Sequence, residues 1–528
     1  MNRNILIGGA WPYANNSLHI GHLAGLISGD ILARYYRMLG DNVLYVSGTD
    51  CHGTPITERA KRENRTPEEI SETYHKEFKE TFDKMNFSYD LYSKTTSEYH
   101  IKEVKKIFKK IYDNGYIYEK VEPQAYCENC NKFLQDREVQ IECPNCHTIT
   151  KGDQCDNCNY TPLQKDLIGG ECLNCHTKTI QKDNKNLYFA LSKFQKVIEE
   201  NTAKNKHGWR INAQNETEKY LKQGLIDRAV TRDLSWGVEI PLDNYEDKRM
   251  YVWIEAVLGY ITDTMQICEE KGLNWEDFWK EGHNNKIYMC HGKDNIVFHS
   301  IIFNSLLAAL NENYHLVDEI VSTEYLNIND EKISKSKGNG ITALGLLNEY
   351  NSDTIRFHLI NNGPEKKDSN FTLDDFKRTH NNEILNKFGN LVNRTLRFKG
   401  MEVLEKGELD DQMKEEILKT YKKVSENIEK LEFKAATDEV MGLVETANKY
   451  YDDRQPWVQK NENIDEFKNT IYTCAVIIAN LANLFEPFMP EACRKIRKYL
   501  GINDAKWEFI NIEEDIKLEG IEPLFTRI

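Results

Sequence analysis

The chain of 528 residues has no apolar run long enough to cross a bilayer. The longest, Ile471 to Leu484, is broken by Asn480 and Asn483 and falls short of the roughly 20 residues a span needs, so it reads as a buried helix. The amino-terminal run Ile5-Leu6-Ile7 follows one early cation, Arg3, and is ended by Pro12; it is too short for an export-signal core, and no export is expected. An excess of positive charge is also missing. The formal net charge of -15 excludes a protein that coats nucleic acid indiscriminately, because neutralising phosphates needs cations, so any RNA contact must use a restricted basic surface. Low-complexity tails and long repeats are absent, and beyond about Asn381 there is no strong strand signal. What is present suits a globular protein: 40% hydrophobic, 11% aromatic and 29% charged residues, in a chain long enough to predict several domains.

Residues 4 to 50 read as a strand (Asn4 to Gly9), a helix (about Leu18 to Leu39) closed by Gly40, and a second strand (Asn42 to Ser47). That is one βαβ unit and implies a parallel sheet with helices packed on it. From about Tyr116 to Lys182 the text becomes rich in Cys, Asn and Gly, which marks an inserted module. Met250 to Trp253 and Lys286 to Cys290 are candidate returning strands of the first sheet, so the insertion splits one nucleotide-binding fold. Amphipathic helices such as Asp410 to Leu431 and Phe467 to Leu484 then predict an all-α domain.

Eight of the 13 cysteines form four Cys-x-x-Cys pairs: Cys127/Cys130, Cys143/Cys146, Cys155/Cys158 and Cys172/Cys175. Each pair can give two thiolates to a tetrahedral Zn2+, so one or two closed, structural sites of four cysteines each are expected, with no open position for water activation. Spacing alone does not assign partners. Disulfides are the competing reading; a two-residue spacer makes reactive rather than structural ones.

The segment Trp11-Pro12-Tyr13-Ala14-Asn15-Asn16-Ser17-Leu18-His19-Ile20-Gly21-His22 lies where the first strand gives way to its helix. A helix N-terminus at a strand's carboxyl end offers N–H groups and partial positive charge to phosphate. His19 and His22, three residues apart, share a face there and can donate to phosphoryl oxygens, while Gly21 lets a flat base approach the backbone. Alone, such a pair is commonly two surface histidines. The second segment, Lys332-Ile333-Ser334-Lys335-Ser336-Lys337-Gly338-Asn339, can close on a triphosphate and neutralise departing pyrophosphate, although lysine–serine loops are usually just solvated.

Together and in this order, the two segments resemble the HIGH and KMSKS signatures of class I aminoacyl-tRNA synthetases. The shared reaction is attack of an amino-acid carboxylate on the α-phosphorus of ATP, with Mg2+ sharing the charge of the leaving pyrophosphate. The resemblance gives Lys335 the phosphate contact, with Lys332, His19 and His22 assisting; Ile333 replaces the commoner Met. It becomes close to the methionyl-tRNA synthetases over Ile5 to about Pro490, through Pro12-Tyr13-Ala14-Asn15, Gly48-Thr49-Asp50-Cys51-His52-Gly53-Thr54-Pro55, Trp253-Ile254-Glu255-Ala256 with Gly259-Tyr260, and Gly292-Lys293-Asp294-Asn295 leading to Phe298-His299.

That resemblance implies methionine–tRNA ligase activity, with L-methionine, ATP and tRNA(Met), including initiator tRNA, as substrates and the tRNA's 3′-terminal adenosine as acceptor. By position, Asp50 would hold the substrate ammonium; Trp11, Tyr13, Trp253, Ala256, Tyr260, Asn295 and His299 would form the thioether pocket. Gly21, His22, Arg232, Asp294 and Lys335 would bind ATP. Aromatic rings suit a polarisable sulfur, and one polar tip distinguishes it from methylene. Trp11 stands where many relatives have a smaller residue, and Val257 where many have Pro. Family modules interleave the cysteine pairs, the two inner forming one zinc site and the two outer the other. Asn386, Asn390, Arg394, Pro456 and Trp457 match the family's reader of the CAU anticodon, with groups suited to unstacked bases.

The fold expected is α/β: a Rossmann-type parallel-sheet catalytic domain (1–116 and 230–330) split by a zinc-knuckle insertion (117–229). A signature loop and linking segment (331–380) and an all-α helical-bundle anticodon-binding domain (381–528) follow. A cytoplasmic monomer without the OB-type appendage of some relatives is expected. The competing readings are another class I synthetase and a non-catalytic zinc-knuckle RNA-binding protein.

Overall fold

The computed structural model describes every residue except Met1, 135–137, 153–154, 156, 159, 161, 163, 329–330 and 333–341, with backbone alone for Gln164, Glu331 and Lys332. Five parallel strands, β1 (Asn4–Gly9), β2 (Asn42–Thr49), β3 (Leu91–Lys94), β4 (Asn285–Gly292) and β5 (Glu319–Thr323), stand in the order β5-β4-β1-β2-β3. Parallel strands are buried on both faces and read as continuous apolar runs. Ile5 and Ile7 enter one core and Leu6 the other, the period-2 alternation of a strand. β1 pairs with β2 on one side and β4 on the other, Ile7 lying opposite both Tyr45 and Tyr288. The strand order therefore reverses at β1 and β4, which leaves a crevice at their carboxyl ends.

Helix α1 (Ile20–Met38) follows β1, and α2 (Glu98–Asp113) and α3 (Val252–Lys271) pack together on the other side. Met250 to Trp253 is not a strand of this sheet. Arg249–Met250 pairs with Thr231–Arg232 and bridges Glu239, none of them in this sheet, and Val252 already begins α3. The β-branched and aromatic run Tyr251 to Ile254 looks strand-like, but the helix runs for 20 residues and is buried on nearly every face as far as Cys268. Lys286 to Cys290 does lie in β4.

Between the halves of the sheet rises a long antiparallel pair, Ile117–Cys127 with Ile180–Phe189, whose far end carries short strands and the cysteine pairs around a small core of its own. Past the sheet, α4 (Ser352–Asn361) leads to a bundle of α5 (Asp411–Glu429), α6 (Phe433–Arg454), α7 (Ile464–Leu484) and α8 (Pro490–Tyr499). Its core is continuous with one face of the sheet. Among the described residues no helix is long and apolar enough to cross a membrane.

Candidate functional site

A cavity of about 430 Å³ opens at the carboxyl ends of β1, β4 and β5. Trp11, Tyr13, His19, Gly21 and His22 line it from the first strand–helix turn, Trp253 from α3, and Asp294 and Asn295 from the turn after β4. His19 is the N-cap of α1; its backbone N–H donates to His22 Nδ1 (3.1 Å), and the two rings stand 3.7 Å apart between centroids. With Nδ1 accepting, the donor of the neutral His22 ring is Nε2. Tyr13 meets Trp253 edge-on at 5.6 Å, and Trp253 stacks on Phe298 at 4.4 Å.

Behind this wall, Ala256, Tyr260 and His299 are buried. His299 Nδ1 lies 2.9 Å from the Asn295 carbonyl and must donate to it, so Nε2 is the acceptor of the Tyr260 hydroxyl at 2.8 Å. Burial draws His299 down to about 4 and holds the Tyr260 phenol well above its usual range, so both are neutral near pH 7. The Trp11 indole is wedged between two chain segments that carry glycine. A Cβ on Gly259 would stand 2.5 Å from it, and one on Gly48 2.7 Å.

Asp50 is buried beside this cavity wall without lining it. Its backbone exchanges hydrogen bonds with Pro12 and Ala14, and its Oδ1 accepts the His52 N–H at 3.2 Å. Burial, then the nearby Glu255 charge, pushes its carboxyl well above the usual range. Arg232 does not line the cavity: its guanidinium donates to the Ala229 and Thr231 carbonyls and covers the Tyr251 ring at 4.1 Å. The Lys332 side chain and Lys335 lie outside the described residues.

Sequence reasoning gave no role to His52, Trp236, Glu255 or His291. His52 Nδ1 meets Glu255 Oε1 at 2.6 Å, and His291 stacks on His299 at 4.4 Å. For His52, Glu255 and His291 the signal was adjacency to the Asp50, Trp253 and Gly292 segments, which does not reveal that His52 meets Glu255 across 203 positions or that Trp236 reaches Cys51 across 185.

In the insertion the thiols of Cys127, Cys130, Cys172 and Cys175 gather within 4.8 Å, and those of Cys143, Cys146, Cys155 and Cys158 do likewise. Inner pairs have joined inner, and outer joined outer. The Sγ–Sγ distances across pairs are 3.3, 3.8, 3.7 and 3.5 Å. Four sulfurs at about 2.3 Å around Zn2+ stand about 3.8 Å apart, so both sets fit the ion.

In the helical region Asn386 and Asn390 are exposed, on a π-helical stretch His380–Gly389 and the α-helical turn after it. Trp457 is 50% exposed, 6.2 Å from Tyr451, on the short helix that Pro456 begins. Arg394 is held inward by Asp452 at 2.7 Å and by the Tyr451 ring at 4.0 Å.

Residues 5–396 match the family model for tRNA synthetases class I (M), and residues 402–520 match that for the anticodon binding domain of methionyl tRNA ligase. Methionine–tRNA ligase 1 of Alkaliphilus oremlandii is 45% identical over 528 residues, spanning 99% of this chain and 97% of that protein. The methionine–tRNA ligase of Bacillus mycoides is 46% identical over 530 residues with the same coverage. The solved Mycobacterium tuberculosis methionyl-tRNA synthetase in complex with methionyl-adenylate superposes with a TM-score of 0.80 at 22% identity, over 99% of this chain and 100% of that one.

Proposed function

The chain belongs to the class I methionyl-tRNA synthetases, and from that premise we propose how its residues divide the reaction. The enzyme activates L-methionine with ATP, releases pyrophosphate and transfers the methionyl group to tRNA(Met). In the first step a methionine carboxylate oxygen bonds to the α-phosphorus and the bond to the pyrophosphate oxygen breaks. There is little covalent work for the protein, so it contributes position and charge.

His22 and His19 donate to the phosphoryl oxygens at the α1 N-terminus, where the free N–H groups reinforce them. Gly21 leaves room for the base, and Asp294 and Arg232 support the bound nucleotide. Lys335, with Lys332, neutralises the leaving pyrophosphate, and Mg2+ shares its charge when bound. Asp50 receives the substrate ammonium. Trp11, Tyr13, Trp253, Ala256, Tyr260, Asn295 and His299 enclose the thioether. In the second step a hydroxyl of the 3′-terminal adenosine takes the methionyl carbonyl and AMP leaves. The observation that carries this reading is the 430 Å³ cavity, which His19, Gly21, His22, Asp294, Trp11, Tyr13, Trp253 and Asn295 line together; the other roles rest on the family resemblance.

Both cysteine clusters would hold structural zinc, away from the chemistry. Asn386, Asn390, Arg394, Pro456 and Trp457 would read the anticodon of initiator and elongator tRNA alike. A cytoplasmic monomer belongs to the same proposal; a dimer mass on sedimentation would overturn the monomer. The roles are tested by ATP–pyrophosphate exchange with methionine, leucine, isoleucine, valine and cysteine separately. Exchange with methionine alone, lost in Asp50→Ala and Lys335→Ala, is expected. Full exchange in either folded variant removes that residue's role.

A further inference from the structure

The Asp50 loop is held from the far half of the split sheet domain. Gly53, at φ 103°, turns the chain sharply after it, and the Cys51 N–H donates to Thr95 Oγ1 at 2.9 Å from the near half. The Asp50 carboxylate accepts the His52 N–H, and the His52 ring is locked through Nδ1 by Glu255 at 2.6 Å. The Trp236 indole N–H donates to the Cys51 carbonyl at 2.7 Å, and its ring meets His52 edge-on at 5.3 Å. Glu255 is 0% exposed, and its second oxygen, Oε2, is buried without a hydrogen-bond partner. A buried carboxylate with half its acceptor capacity unused is expensive to keep for packing alone. Beside Asp50 it is a second buried carboxyl, and when both are ionised an arriving cation relieves their repulsion.

We propose that Glu255 and Trp236 are positioning residues for the substrate ammonium: acting through His52 and Cys51, they fix the orientation of the Asp50 carboxylate. The inference rests on Asp50 as the ammonium acceptor. It assigns the selection of an amino acid over its desamino counterpart to both halves of the sheet domain, which the insertion separates in the chain.

The test measures the KM of methionine and of ATP in pyrophosphate exchange, and the inhibition constant of methylthiobutanoate, which keeps the thioether and carboxylate of methionine but lacks its ammonium. Wild type is compared with Glu255→Gln, Trp236→Phe and Asp50→Asn. Trp236→Phe keeps a ring near His52 and removes the indole N–H together with its fused five-membered ring, so it tests the idea even where Glu255→Gln fails to fold. Each positioning variant is expected to raise the methionine KM roughly tenfold, the size of one lost polar hold, with the ATP KM and methylthiobutanoate inhibition unchanged. Equal weakening of methionine and methylthiobutanoate would mean a merely structural role and overturn the inference, as would a wild-type methionine KM in both variants. If Asp50→Asn itself leaves the preference for the ammonium-bearing ligand intact, the Asp50 assignment fails first and the inference with it. Loss in Asp50→Asn beside wild-type behaviour in the other two sinks the positioning idea alone.

Discussion

His299 can accept the Tyr260 hydroxyl only because its own Nδ1 hydrogen is committed to the Asn295 carbonyl. Its depressed folded-state pKa, about 4 against an ordinary value of 6.5, has a stability consequence. The unfolded chain binds a proton that the folded site refuses, so the contribution is fully present above 6.5 and is lost as pH falls toward about 4. His299→Asn should flatten the thermal-melting profile across that interval, and an unchanged slope would place the acid sensitivity elsewhere. The Trp11 wedge gives a second prediction. Gly259→Ala should cost about 1–3 kcal/mol by overpacking, and Trp11→Leu should recover part of it, a non-additivity that a double-mutant cycle in urea measures. At this scale the sequence exposed residue types: the aromatic rings of the cavity wall and the histidines at a helix start were legible in their segments. The His52–Glu255 pair was not, because its members are 203 positions apart and nothing local in either segment calls for the other.

Among elements, β1 was legible to the residue, since an apolar run bounded by Asn4 and Gly9 is short enough to be a strand and little else. The start of α3 was misread because periodicity does not separate a fully buried helix from a buried strand over four residues; length does, and the length lay downstream in Glu255 to Cys268. The cysteine-bearing end of the insertion shows the reverse case, in which strands are only two to four residues long and eight thiols gather into two clusters. Stripping metal with a chelator should therefore release about two zinc ions per chain and lower aminoacylation, while methionine-dependent pyrophosphate exchange persists, because no cysteine lines the cavity. Loss of both activities in parallel, with the sheet domain intact by circular dichroism, would tie the knuckles to the first step.

For the whole molecule, the joint between sheet and bundle is ionic at its centre. Asp30 of α1 and Arg356 of α4 are both fully buried and 2.6 Å apart. Arg356 also donates to the Pro487 and Phe488 carbonyls, and Arg34 joins Asp30 to Glu486. Burial alone would raise the Asp30 carboxyl, yet Arg34 and Arg356 hold it well below its ordinary value of 3.8. Its contribution is thus present above 3.8 and lost as pH falls below it. Arg356→Met should cost about 3–5 kcal/mol near neutral pH, as breaking a buried pair does, and the cost should shrink as Asp30 protonates. Urea unfolding on either side of pH 3.8 measures it, and a pH-independent cost would contradict the ionic account. The catalytic sheet followed by helices was readable from composition and periodicity. That one core and one charge cluster run through both was not, since α4 gives only a local helical pattern.

The pairing of β1 with β4, Asn4 opposite Asn285, also sets a timetable. At roughly 5–20 residues per second on the ribosome, β1 waits on the order of 15 to 60 seconds for that neighbour to be made. Meanwhile Ile5, Leu6 and Ile7 belong to a strand with β2 and α1 on hand and its other edge open. An open edge of that composition invites foreign strands. The insertion that divides this fold is therefore felt during synthesis, when the nascent chain must hold a half-built sheet in solution until its second half emerges.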